Sequence, residues 1–214
     1  MTIETLQKNL EAALRKAPVV PVMVIDNVKD AVPLARALVN GGLPVLEITL
    51  RTDAALDCIK AIVAEVEGAI VGSGTVLTPK QLRQSRKAGC MFAVSPGSTG
   101  KLLGAAEDED IALLPGAATA SEAMALLEWG YAIQKFFPAE AAGGASYLAS
   151  LASPLPQIKF CPTGGITPAL APSYLKLSNV ITLGGSWMAP KAMVNEGKWN
   201  EIELLAKAAA ALKS

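Results

Sequence analysis

The chain is 214 residues long and 51% hydrophobic, enough for one sizeable core, so a single α/β domain over residues 1–214 is expected. Lys plus Arg and Asp plus Glu both number 19, which leaves no basic surplus for nucleic acid or an anionic membrane, and a small neutral or anionic ligand is the expected partner. There is no histidine, which removes His-based acid–base chemistry, Ser-His-Asp triads and His-ligated metals together, so carboxylates, lysine, hydroxyls or a thiol must carry any chemistry.

The first stretch, MTIETLQKNLEAALRKA, sets Leu6, Leu10 and Leu14 at helical spacing with charges between them. This predicts an amphipathic helix within residues 1–17, where a secretory signal would need a continuous apolar run. Apolar and β-branched runs then alternate with helical stretches. The strand candidates are VVPVMVI (19–25), PVLEITLR (44–51), AIVGSGTV (69–76), MFAVSPG (91–97), IALLPGA (111–117), AIQKFFP (132–138), IKFCPTGG (158–165) and VITLGGSW (180–187). Eight strands each followed by a helix predict a (β/α)8 TIM barrel, with the N-terminal helix covering its bottom. A doubly wound sheet is the alternative, but the first βα turn, IDNVKDA, has no GxGxxG phosphate loop. No segment reaches transmembrane length, and Cys58, Cys90 and Cys161 lack CxxC spacing, so a reducing, cytoplasmic setting is expected.

In a barrel, ligands meet the C-terminal ends of the strands. In LEITLR the two-residue period places Glu47, Thr49 and Arg51 on one face and Leu46, Ile48 and Leu50 on the other. An edge strand turned to solvent would read the same way, but a closed barrel has no edge. In GSGTV, Ser73 and Thr75 are expected to share a face, and the flanking glycines let a ligand approach the backbone. SPG and PGA end the fourth and fifth strands, and turn chemistry alone accounts for Pro115 and Gly116. PTGG and GGSW end the seventh and eighth strands, where barrels hold phosphate. Gly164, Gly165, Gly184, Gly185 and Ser186 are the expected anion site.

Lys135 interrupts the apolar run YAIQKFFPAE. Alternation puts it on one face with Ile133 and Phe137, pointing inward towards Glu47 and Arg51, while Phe136 faces outward to pack on a helix. Burial disfavours an ammonium, and a neutral amine attacks carbonyls. A structural ion pair with Glu47 is the other reading; the two are compatible, because a Schiff-base lysine needs a carboxylate nearby to move protons.

The blocks VVPV, GGLPVLEITLRT, VGSGTVL, VSPG, LLPG, KFFPAE, FCPTGGI and GGSW, in this order and spacing, resemble the 2-keto-3-deoxy-6-phosphogluconate and 4-hydroxy-2-oxoglutarate aldolase family over nearly the whole chain. The resemblance implies a class I, Schiff-base aldolase without cofactor or metal, acting on a keto acid and assembled as a homotrimer of barrels. It implies Lys135 as the Schiff-base lysine and Glu47 as the catalytic carboxylate. Arg51 and Thr75 would hold the pyruvyl carboxylate, with Pro96, Phe137 and Thr163 also at the substrate. The glycines of PTGGI, with the glycines and Ser186 of GGSW, would hold the phosphate. The chain departs from the family pattern at Ala118, where a hydroxyl residue is usual, and at Ser98, where an apolar one is. A phosphosugar isomerase or epimerase, or a non-catalytic phosphometabolite-binding barrel, are the alternative functions.

Overall fold

Every quoted run forms a parallel strand. They are β1 Val19–Met23, β2 Val45–Thr49, β3 Ile70–Gly74, β4 Phe92–Val94, β5 Ala112–Leu114 with β6 Gly116–Ala117, β7 Ile133–Phe136, β8 Lys159–Pro162 and β9 Leu183–Gly185. The structure, a computed structural model, describes residues 1–212, so the last two residues of the expected domain lie outside the described range. The fifth run is split because Pro115 has no N–H for the ladder.

One sheet has the order β5-β4-β3-β2-β1-β9 and a second the order β6-β7-β8. Single bridges, Phe160↔Val180 and Thr163↔Gly184, join β8 to the last run. On the other side the Lys135 N–H donates to the Pro115 carbonyl at 2.9 Å. The strand order never reverses, and the last strand lies beside the first. A doubly wound sheet would change direction at a switch point, so that alternative is set aside. The fold is α/β with a curled parallel sheet.

The helices are α1 Ile3–Leu14, α2 Val28–Asn40, α3 Ala55–Glu65, α4 Pro79–Lys87, α5 Gly100–Asp108, α6 Ala120–Glu128, α7 Gly144–Leu151, α8 Ala171–Leu175, α9 Lys191–Asn195 and α10 Trp199–Ala210. Threonine hydroxyls start several of them: Thr78, Thr99 and Thr119 accept from the N–H groups of Gln81, Leu102 and Glu122. Among the described residues no helix is long and apolar enough to cross a membrane.

Alternation divides the strand residues between two cores. Leu46, Ile48, Val71, Ala93, Phe136 and Phe160 face the helices and join the larger one. The inner face gathers Val20, Val45, Phe92, Val94, Leu114 and Ile133, and onto it α1 lowers Leu6, Leu10 and Leu14. Gln7, which no sequence pattern singles out, is buried with them. Its Nε2 donates to the Leu113 carbonyl at 2.9 Å and its Oε1 accepts from the Ile133 N–H at 3.0 Å. A polar side chain there satisfies backbone groups that an apolar one would strand.

Candidate active site

Two residues beyond the inner apolar cluster, β2 presents Glu47 and β7 presents Lys135. Lys135 Nζ lies 3.4 Å from Glu47 Oε1, and the two side chains are 5% and 4% exposed. Among the described residues these are the only buried charged side chains, and they face each other. Space for the carboxylate comes from Gly74 on β3, since a Cβ there would fall 2.2 Å from Glu47 Oε1. Phe137 adds an aromatic wall, its ring centroid 5.3 Å from Lys135 Nζ. Phe136, facing the other way, stacks on Tyr147 of α7 at 5.7 Å.

Cys161 on β8 is the register partner of Lys135 and is buried. Burial pushes its thiol up to about 12, against the lowering effect of Lys135 and with Glu47 adding to the rise. Sequence reading passes over this residue because a lone cysteine in a strand has no motif around it.

Arg51 lies just past the end of β2 in a turn, exposed, and its Nε donates to Thr75 Oγ1 at 3.0 Å. Thr75 holds a left-handed backbone, φ 57°, rare for a β-branched residue and commonest at functional sites. Ser73 and Thr75 therefore do not share a face. Gly72 and Gly74 take the inner positions on β3, against the Phe92 ring and Glu47, while Ser73 lies against the Cys90 thiol on the helix side. Thr49 is buried, and its hydroxyl donates to the Met23 carbonyl at 2.9 Å, so it ties β2 to β1.

Arg51, Phe137, Thr163, both glycine pairs and Ser186 line one cavity of about 300 Å³. Gly164 and Gly165 have φ of 108° and 79°, open to glycine and strained for other residues. Among the described residues the Gly165 N–H meets no protein acceptor, so it is free to donate to an anion, whereas the Gly164 N–H lies on the Thr163↔Gly184 bridge. The buried hydroxyl of Thr163 also has no partner. Gly184 lets β9 close on it, since a Cβ there would strike Thr163 Oγ1 at 2.1 Å.

Lys135 and Glu47 adjoin this cavity across Phe137 and are not part of its lining. Pro96 is not brought to it. Its carbonyl would sit 2.3 Å from a Cβ at Gly116, whose own register partner is Lys135. Gly116 is thus a strand residue needed for close backbone approach, which turn chemistry does not describe. A larger cleft, about 740 Å³, opens between the end of α1 and α8, lined by Arg15, Lys16 and Lys176 and containing neither Lys135 nor Glu47.

The model of the KDPG and KHG aldolases matches residues 10–205. The chain belongs to the KDPG and KHG aldolase family. It is an aldolase, and so a lyase. It is 54% identical over 196 residues to the 2-dehydro-3-deoxy-phosphogluconate aldolase of Pseudoalteromonas atlantica, a match covering 92% of this chain and 91% of that protein. The crystal structure of the 2-keto-3-deoxy-6-phosphogluconate aldolase of Zymomonas mobilis ZM4 with 3-phosphoglycerate superposes with a TM-score of 0.91 at 49% identity, covering 97% of each chain. The KDPG aldolase from Legionella pneumophila, with pyruvate captured at low pH as a covalent carbinolamine intermediate, gives 0.92 at 43% identity over 94% of this chain and 98% of that one.

In this member of the family the two sequence departures serve one loop region. Ser98 Oγ donates to the Gly116 carbonyl at 3.1 Å, and the Ala118 N–H donates to Glu122 Oε2 at 2.8 Å beside the α6 capping box. The backbone contact at residue 118 needs no hydroxyl.

Proposed function

We propose that this aldolase cleaves 2-keto-3-deoxy-6-phosphogluconate to pyruvate and glyceraldehyde 3-phosphate, and 4-hydroxy-2-oxoglutarate to pyruvate and glyoxylate, through a Schiff base on Lys135. The observation that carries the reading is the pairing of the only two buried charges among the described residues, beside a cavity edged by the glycine pairs and by the unpaired Gly165 N–H. The neutral amine of Lys135 adds to the C2 carbonyl, and the carbinolamine loses water to a protonated imine. Glu47 takes the proton of the C4 hydroxyl, directly or through a water. The electrons of the C3–C4 bond pass to the imine, releasing the aldehyde and leaving the enamine of pyruvate. Protonation at C3 and hydrolysis free pyruvate and the lysine.

Arg51, held by Thr75, would meet the substrate carboxylate through its planar fork, and the glycine N–H groups with Ser186 would meet the phosphate. The bond that breaks then lies between two anchored anions. The Legionella pneumophila relative, with pyruvate as a covalent carbinolamine, supports the first step by analogy. Pro96 acts in this scheme through Gly116 and the strand beside Lys135.

The same reading takes residues 1–214 as one domain and the two sheets as one closed (β/α)8 barrel, supported by the bridges Phe160↔Val180 and Thr163↔Gly184 between the last two runs and by the one-residue break at Pro115. It takes α1 as the cover of the barrel's bottom, a homotrimer as the assembly and the cytoplasm as the location. Borohydride reduction in the presence of pyruvate is expected to add a three-carbon unit at Lys135, found by peptide mass spectrometry. A protein that turns over substrate yet carries no adduct there would refute the covalent step. Lys135→Arg keeps the charge but cannot form the imine, and should lose nearly all turnover.

A further inference from the structure

The Gly164–Gly165 turn is shaped by its neighbours. The N–H groups of Ala139 and Glu140 donate to the carbonyls of Thr163 at 2.8 Å and Gly164 at 3.0 Å, which extends the β7–β8 pairing into the turn. Gly165 is seated on the Glu140 side chain, because a Cβ there would fall 2.9 Å from Glu140 Cβ and 3.0 Å from its Cγ. Glu140 is exposed at the surface, yet its carboxylate accepts a hydrogen bond from the hydroxyl of Tyr174, a fully buried residue of α8. Among the described residues Glu140 has no cationic partner, and it takes no part in lining the cavity.

We propose that the Tyr174–Glu140 hydrogen bond is a positioning device that selects for phosphorylated substrates. It holds segment 139–140 against the glycine turn, so that the free Gly165 N–H stays at the cavity. It also keeps a carboxylate from swinging over the place an anion would occupy. Both effects act on a phosphate dianion at the far end of a substrate and leave the keto-acid end, at Lys135 and Arg51, alone. The inference rests on the reading of the glycine pairs and Ser186 as the phosphate end of this cavity. Burial, and then the bond to Glu140, push the Tyr174 phenol well above its ordinary range, so it remains a donor at any working pH.

The test compares 2-keto-3-deoxy-6-phosphogluconate with the unphosphorylated 4-hydroxy-2-oxoglutarate in a coupled pyruvate assay. Tyr174→Phe is expected to raise KM for the phosphorylated substrate about tenfold, the size expected for one lost hydrogen bond to a charged group, with kcat held. KM for the unphosphorylated substrate should stay put, which also reports that the variant is folded. Glu140→Gln keeps an acceptor oxygen and should retain most of the affinity. If Tyr174→Phe does not fold, Glu140→Ala breaks the same bond from the surface without freeing a carboxylate, and a smaller rise in KM, confined to the phosphorylated substrate, is expected. Equal rises in both KM values, or no rise with the phosphorylated substrate, would overturn the proposal. Borohydride trapping of pyruvate on the wild type separates the two levels: missing trapping refutes the covalent mechanism, whereas intact trapping with an unmoved phosphate KM refutes only the Tyr174–Glu140 role.

Discussion

The inner face of the sheet has two halves built from the same strands. Nearer α1 it carries Val20, Val45, Ile133 and Cys161, sealed by Leu6, Leu10 and Leu14. Two residues further along each strand it carries Val22, Glu47, Lys135 and Thr163, next to the cavity. That step is only about 7 Å along a strand. In the first half large side chains fill the space. In the second, Gly74 and Gly184 leave it open, for the Glu47 carboxylate and the Thr163 hydroxyl. The apolar half supplies a dry floor, and an ion pair above a dry floor is costly to bury and therefore chemically usable.

The largest test extends the apolar half upward. The double variant Lys135→Met/Glu47→Leu should lower turnover on the order of 10⁴-fold or more, because both the proposed nucleophile and the proposed proton acceptor are gone. Its urea-unfolding free energy should equal the wild type's or exceed it by about 1–4 kcal/mol, as buried ion pairs are often no more stabilising than well-packed apolar residues. Lys135→Met alone leaves Glu47 buried without its partner and should cost about 3–5 kcal/mol. Equal stabilities for the single and double variants would mean that the two halves do not differ in the way described.

The converse test empties the apolar half. Leu10 is fully buried against the strands, so Leu10→Ala should cost about 2–5 kcal/mol in the same urea titration. Below its unfolding transition the variant should keep kcat and KM, since no atom of Leu10 reaches the cavity. A fall in kcat with the fold intact would show that the floor helps aim Lys135 as well as keeping it dry.

Sequence periodicity makes the two halves partly legible. The eight strand runs, the α1 leucines and the shared face of Glu47 and Lys135 follow from residue spacing, because alternation is a local property of an extended chain. It stops where the backbone leaves the extended region. Ser73 and Thr75 are two apart, yet φ 57° at Thr75 separates them. The turn reading of Gly116 fails for a related reason, since its close approach to Pro96 joins neighbouring strands and has no sequence spacing. Gln7 with Ile133, and Tyr174 with Glu140, meet across 126 and 34 residues, distances at which no local pattern signals a hydrogen bond.

The smallest effect lies at the rim of the open half, where Thr75 joins a strained backbone to a functional contact. A left-handed conformation costs a β-branched residue roughly 1–2 kcal/mol, and glycine adopts it freely. Thr75→Gly removes that strain and, with it, the hydroxyl that accepts from Arg51 Nε. The variant should therefore match the wild type in stability or exceed it by about 1 kcal/mol, while KM for both keto-acid substrates rises about 3–10-fold through the loosened guanidinium. Thr75→Ser restores the hydroxyl and should return KM to near the wild-type value. Both substrates must respond alike here, because Arg51 is assigned to the carboxylate they share, whereas Tyr174→Phe should affect only one. If Thr75→Gly moved the phosphorylated substrate alone, Arg51 would belong to the phosphate end of the cavity, and the division of the open half into a carboxylate end and a phosphate end would have to be redrawn.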